Sequence, residues 1–446
     1  MDISFKRRIT NFYYNILHSL TFIPFTILIA YAAIALFLIK LHGTELGIES
    51  AKIFPWIRIK SPSHAIEVTN TLLTGMISLT VFSFSVVMII LSQAAQNFIP
   101  KVLYRLQEDR LMQFVLGNYI GTITYYIILL VNFGKEGGEA YVPNLAFIIG
   151  VLLSIINIFL FVYFMHKTTL SIHAKKVTER IFIDTRKKLL QEKRKYKEDE
   201  KVRILNDKTE WINFYSNSTG YLQSIEDKLV GYLANKDLIL KIYPVFGEYI
   251  VEKMLLFGLN KQVDNDFVRA IESGIIFYSE ERVEENSKYG IRQITEIAVK
   301  ALSPGINNPG TAIFCIEYLT ELFCIAIKQN NGTFKRDRKN NVRIIGNDES
   351  FNNILFSSIS PIRTYGKGDI KIMENLVKFL SKISLHDDDC EHQNYLNTLL
   401  ISIFNSVIEN IRDRADLKHF KEEVTIVCKQ NEYFKEALKT GAFQSL

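Results

Sequence analysis

Cysteine is scarce in this chain: Cys315, Cys324, Cys390 and Cys428 are the four in 446 residues, and none forms a Cys-x-x-Cys pair. That spacing offers no paired thiolates for zinc or redox chemistry, and all four follow the apolar blocks on what reads as the reducing, cytoplasmic side, so no disulfide framework is expected. Also missing are a Gly-x-x-x-x-Gly-Lys-Ser/Thr phosphate loop, a His-Glu-x-x-His helix and a Gly-x-Ser-x-Gly elbow. His386-Asp-Asp-Asp-Cys-Glu-His392 crowds its side chains too tightly to converge on a metal, and acidic residues ahead of a helix are ordinary capping chemistry. The expectation is a non-enzyme with no catalytic residues, no metal and no cofactor. The most consequential absence is of charge. From Val68 to Pro100, thirty-three consecutive residues include no Asp, Glu, Lys, Arg or His.

As a helix that stretch runs about 50 Å, against roughly 30 Å of bilayer hydrocarbon, so it spans the membrane and continues beyond it. Leu20 to Ile39, Leu111 to Phe133 and Tyr141 to Met165 are three further blocks of at least twenty residues with little or no charge. Lys40 follows the first without an Ala-x-Ala-like site, so it reads as a membrane helix and not a cleaved signal peptide. Lys6, Arg7 and Arg8, then Lys101, Arg105 and Arg110, then Lys167, Lys175, Lys176 and Arg180 flank the blocks on alternate sides. The positive-inside rule makes those flanks, and hence both termini, cytoplasmic in a multi-pass membrane protein. The formal net charge of +6 is accounted for by these flanks, which excludes nucleic acid as the expected partner.

The expected fold is a membrane α-helical domain of four transmembrane helices with a cytoplasmic α+β domain, the latter a small β-barrel-like module followed by a helical bundle. The boundaries are 1–166 for the transmembrane domain, 167–210 for a basic amphipathic linker, 211–260 for the β module and 261–446 for the mainly helical domain. In the linker, Lys167 to Lys201 carry twelve Lys and Arg against six Asp and Glu, interleaved with apolar residues such as Ile181 and Leu189. Such a helix suits contact with anionic lipid or a solvated connection. In the β module, alternating strand and turn signals bear a faint likeness to biotinyl and lipoyl carriers, but no lysine sits in a carrier-like hairpin. Beyond Asp264 the period is helical, with Val342 to Ile345 the only strand-like piece of the polar stretch 330–347 and helices expected near Val283 to Leu302 and Asn352 to Ser360.

Two sets of residues are candidates for function. In the charge-free helix, Thr71, Ser78, Ser85 and Ser92 recur every seven residues and so share one face. They either bond back to their own helix and let neighbours approach, or line a path when several copies surround an axis. Gly117 and Gly121 in the third helix form a Gly-x-x-x-Gly pair suited to close packing. The second set surrounds a turn: Ser303-Pro-Gly-Ile-Asn-Asn-Pro-Gly-Thr311 stops one helix at Pro304 and caps the next with Asn308 before Pro309. Its role is architectural, or its Ser303, Asn307, Asn308 and Thr311, with Arg292, bind an anion at a helix start.

Gly290-Ile-Arg-Gln-Ile294 and Ala301-Leu-Ser-Pro-Gly-Ile-Asn-Asn-Pro-Gly-Thr-Ala312 resemble the hallmark segment of a bacterial membrane protein family catalogued as domain of unknown function 2254. The likeness extends to the segment from Ser92 to Lys101, to Gly220-Tyr-Leu-Gln223 and to Ile362-Arg-Thr-Tyr-Gly366, and so covers most of the chain. It implies a four-helix membrane region with a cytoplasmic domain and no settled activity. Asn286 and Asn308 stand where the family pattern implies Asp, and Gly310 where a larger residue is usual, which weakens a metal or acid–base role. The first functional expectation is an oligomeric channel-like protein whose second helix is polar-faced. The alternative is a membrane-anchored sensor or scaffold whose cytoplasmic domain binds a partner or an anionic ligand.

Overall fold

The computed structural model describes residues 22–42, 61–97, 110–136, 139–171, 174–195, 210–278, 286–328 and 334–446. The end of the Ser92 to Lys101 segment beyond residue 97 and the end of the basic segment lie outside the described residues. The chain divides into two compact units between residues 173 and 174.

The first unit contains α1 (Phe22–His42), α2 (Pro62–Asn97), α3 (Arg110–Val131), a hairpin of β1 (Gly134–Glu136) and β2 (Glu139–Tyr141), and α4 (Asn144–Ser171). All four helices are long and apolar enough to cross a membrane. Each of the other three packs on α3. Gly117 and Gly121 explain the tightest of these contacts: a Cβ on Gly117 would come within 3.0 Å of the Pro24 backbone, and one on Gly121 within 3.0 Å of the Tyr31 ring. The glycine pair therefore brings α1 onto α3, the packing expected of that spacing. Tyr119, Tyr125, Tyr126 and Phe147 fill the interior, whereas Phe37, Val81, Phe159 and Val131 face outward. An apolar exterior around polar interior side chains suits lipid, where every buried polar group needs a partner inside the protein.

The second unit opens with α5 (Ala174–Lys195), continues through β3 (Ile212–Tyr215), β4 (Gly220–Ile225), α6 (Lys228–Asn235), β5 (Leu240–Val245), β6 (Tyr249–Ile250) and β7 (Leu255–Leu259), and then α7 (Asn265–Gly274) and β8 (Ile275–Tyr278). There follow α8 (Ser287–Ala301), α9 (Pro309–Ala326), β9 (Phe334–Arg336), β10 (Val342–Asn347), α10 (Phe351–Gly366), α11 (Ile370–Ser384), α12 (Gln393–Asn410) and α13 (Arg414–Gln430). Short capping residues start six of these helices. Asp264, Asn286, Asn308, Ser350, Asp369 and Asp413 each accept a first-turn N–H, a bond worth about 1 kcal/mol per helix.

Two sheets share one apolar core. The larger runs β3-β7-β5-β10-β9 with β5 and β10 parallel, and the smaller runs β6-β4-β8. Leu222 and Ile275 from the smaller sheet join Leu240, Phe257 and Ile344 from the larger. The strands of 212–259 thus form only part of both sheets. Ile275–Tyr278, where the sequence reads as helical, completes the small sheet against β4, and 334–347 supplies two strands instead of one. Non-local pairing decides both cases, because a short apolar run fits a strand or a buried helix equally well. A fifth helix with membrane-compatible length and composition, α9, belongs to this unit and packs on α5, α8 and α11. Its Glu321 pairs with Arg186 of α5 at 2.5 Å.

Candidate functional site

On α2, Thr71, Ser78, Ser85 and Ser92 are all exposed in the protomer. The face that packs inward instead carries Thr69, Met76 and Ser83, also seven apart, and Ser83 lies beside Tyr119 of α3. Residues two apart in sequence are separated by about 200° around a helix, so the expected stripe and the packing stripe are nearly opposite. Thr71, Ser78 and Ser85 each donate to the carbonyl four residues back, at 2.9 Å. Their protons are satisfied within the helix whatever lies outside.

The polar groups inside the first unit are different residues. Tyr31 Oη donates to Asn118 Oδ1 at 2.6 Å, Asn157 Nδ2 to Thr122 Oγ1 at 2.7 Å, and Tyr125 Oη to the Ala146 carbonyl at 2.6 Å. Tyr126 Oη lies 2.6 Å from both the Gly150 carbonyl and Ser154 Oγ. This ladder ties α3 to α1 and α4. Its sequence signal was present in Asn118 and Asn157, polar residues inside apolar blocks, but the partners lie on other helices.

In the second unit, the conspicuous turn is a capping device. Asn308 Oδ1 accepts the Thr311 N–H at 3.1 Å, Asn308 N–H reaches the Ala301 carbonyl at 2.7 Å, and Asn307 takes a left-handed φ of 45°. Asn307, Asn308 and Thr311 therefore gather at the start of α9. Arg292 and Ser303 go elsewhere, into a groove of about 530 Å³ between α8 and α10. That volume falls in the range of small-molecule sites.

The two walls run parallel. Lys288 at the start of α8 pairs with Asp348 just before α10, at 3.6 Å, while Leu302 after α8 approaches Gly366 at the end of α10. Along α8, Lys288, Arg292, Glu296 and Lys300 recur every four residues and face the groove. Ile354, Ser357, Ser358, Pro361 and Tyr365 form the α10 wall, and Glu349 lines the same space. Three cations and two carboxylates line the space, and Asp348, the partner of Lys288, balances the third cation. Lys288 Nζ is buried, and among the described residues it has the Asp348 ion pair but no hydrogen-bond acceptor. Helix α10 passes through Pro361, beyond the end expected near Ser360, because Ile359 and Ile362 on either side are buried. A proline there has no N–H to give the Ser357 carbonyl, which adds an acceptor to that wall.

Elsewhere the polar clusters are structural. Arg343, nearly buried on β10, donates to Asp337 and Asp237 at 2.8 Å each. That guanidinium, followed by the Asn341 and Lys339 N–H groups, holds the Asp337 carboxyl down at about 2. In the stretch from His386 to His392, His386 Nδ1 lies 2.8 Å from the Lys382 carbonyl and Asp387 accepts the His392 N–H. Among the described residues, no three His, Cys, Asp or Glu side chains gather as a metal site.

Several lipid-compatible helices joined to an α+β unit with a charged groove define a multi-pass membrane protein. The chain belongs to the family described as "Predicted membrane protein (DUF2254)", whose model matches residues 18–382. It is similar to an uncharacterized protein of Mycobacterium tuberculosis, 22% identical over 408 residues that make up 86% of this chain and 78% of the relative. An uncharacterized protein of Mycobacterium bovis matches to the same extent. No solved structure matches the chain.

Proposed function

We propose that this is a membrane-anchored sensor whose α+β unit binds a small anionic ligand in the α8–α10 groove. The observation that carries this reading is the buried Lys288 ammonium, which has the Asp348 ion pair at 3.6 Å but no hydrogen-bond acceptor among the described residues, on one helix face with Arg292 and Lys300. The remaining Glu296 and Glu349 favour a ligand that carries hydrogen-bond donors beside its negative charge. On this reading the four helices of the first unit are the membrane spans, α9 is a core helix of the cytoplasmic unit, and both termini are cytoplasmic under the positive-inside rule. A thermal-shift screen of phosphorylated and carboxylated metabolites on the purified full chain tests it. A stabilising compound should lose its effect in Lys288→Gln and Arg292→Ala and keep it in Ser78→Ala. Shifts that are the same in all three variants would remove the groove from consideration.

A second reading, an oligomeric channel-like protein, draws on the stripe of Thr71, Ser78, Ser85 and Ser92 lying on the α2 face that its own protomer leaves uncovered. Copies arranged around an axis would turn that face inward. It ranks second because hydroxyls bonded to their own helix are also tolerated by lipid. Planar-bilayer recording should give a conductance altered by Ser85→Leu, and silence in both proteins argues against permeation.

A further inference from the structure

Helix α5 has two faces of opposite character. Val177, Ile181 and Leu189, with Thr178 and Thr185, are buried where α5 packs on α8 and α9, and Phe182 stacks on Tyr318 at 4.6 Å. On the other side, Lys176, Arg180, Ile183, Lys187 and Leu190 follow one another at alternating steps of four and three, which places all five on a single stripe. Each is exposed, including Ile183 at 55% and Leu190 at 38%. Lys175 and Arg186 add cations beside the stripe, and Glu179 is the one acidic side chain among the exposed residues between 175 and 191. Arg186 is turned toward α9 through its pair with Glu321.

The stripe sets isoleucine and leucine on the same line as three cations. At an anionic bilayer surface the combination is favourable, since apolar side chains enter the headgroup layer while Lys and Arg meet phosphates. The chain also brings this helix near a bilayer. Only two residues separate α5 from α4, whose membrane-compatible stretch ends at Lys167.

We propose that the exposed stripe of α5 docks on an anionic bilayer surface, with Ile183 and Leu190 in the headgroup layer and Lys176, Arg180 and Lys187 against lipid phosphates. Nucleic acid, the other polyanion such a face could serve, gives no role to the two apolar side chains.

The test uses the full chain carrying Ile183→Trp, reconstituted in vesicles of phosphatidylcholine alone or mixed with phosphatidylglycerol, each with chain-brominated lipid. The parent protein, whose two tryptophans are Trp56 and Trp211, supplies the baseline. The added indole should be quenched at least twofold more than the parent in the anionic vesicles. Adding Lys176→Gln, Arg180→Gln and Lys187→Gln should return quenching to the level of neutral vesicles. Leu190→Trp repeats the measurement seven residues away, so a folding defect at one position does not decide the result. An indole unquenched at both positions overturns the docking, as it would if the face served RNA instead. Equal quenching in neutral and anionic vesicles overturns the recognition of anionic lipid.

Discussion

In the first unit Gly117 and Gly121 let α1 settle onto α3, and in the second Gly290 lets α8 settle onto α5, where a Cβ would overlap Thr185 Oγ1. The surroundings of these contacts differ. Around the first, outward positions are Phe, Ile and Val, so helix association gains little from removing apolar surface from lipid and rests on close packing plus the Tyr31–Asn118 and Asn157–Thr122 bonds. Around the second, Ile294, Ile297, Leu319 and Phe323 are buried in a unit whose surface is charged, and apolar burial supplies about 25 cal/mol per Å². The same backbone approach is therefore supported by hydrogen bonds in one unit and by apolar burial in the other.

The largest effect is expected at Gly290. Gly290→Ala must displace a buried threonine on the facing helix, with Thr185 Cβ only 2.8 Å from the new atom, and should cost on the order of 3 kcal/mol in thermal or denaturant unfolding of the α+β unit. Adding Thr185→Ala should restore part of that loss, and no recovery would mean that the strain lies elsewhere. Gly121→Leu should cost roughly 2 kcal/mol in detergent-monitored unfolding of the membrane helices, because Tyr31 blocks the added side chain. An unaltered transition would show that α1 is held by something other than the glycine pair. Tyr126→Phe, which removes the bond to the Gly150 carbonyl and Ser154, should cost about 0.6 kcal/mol, the average for such bonds in membranes. A loss several times larger would make the ladder, and not packing, the main support of the first unit.

The smallest effect belongs to the charged unit alone and depends on pH. Asp337 is held at about 2, below its ordinary 3.8, so its contribution is fully present above the unfolded value and lost as pH falls through the folded one. Asp337→Asn should remove this component of the acid dependence between about pH 4 and pH 2, read as melting temperature against pH. A slope identical to the parent's would place the acid-sensitive group elsewhere.

The apolar helices were legible because charge is absent from long runs, and the Gly117–Gly121 pair announced its use through spacing alone. Asn308 before Pro309 likewise identified the start of α9, since capping chemistry is local. The groove was half legible. Lys288, Arg292, Glu296 and Lys300 are visibly one face of a helix, but their partner wall begins some sixty residues later and passes through Pro361, which reads as a stop. The strand Ile275–Tyr278 follows α7 directly, so nothing but its pairing with β4 separates it from a helical continuation. The basic segment after α4 reads as a connector from its charges, yet its buried residues make α5 part of the core of the second unit.

The parallel pairing of β5 with β10 joins Leu240 to Ile344, roughly a hundred residues further along. A ribosome adding about 5–20 residues per second needs some 5–20 s to supply that partner. Throughout this interval β5 has one naked edge, a template for pairing with another nascent chain. A stop codon placed after α9 would make that transient permanent, so truncation there should yield aggregation in place of a smaller folded product.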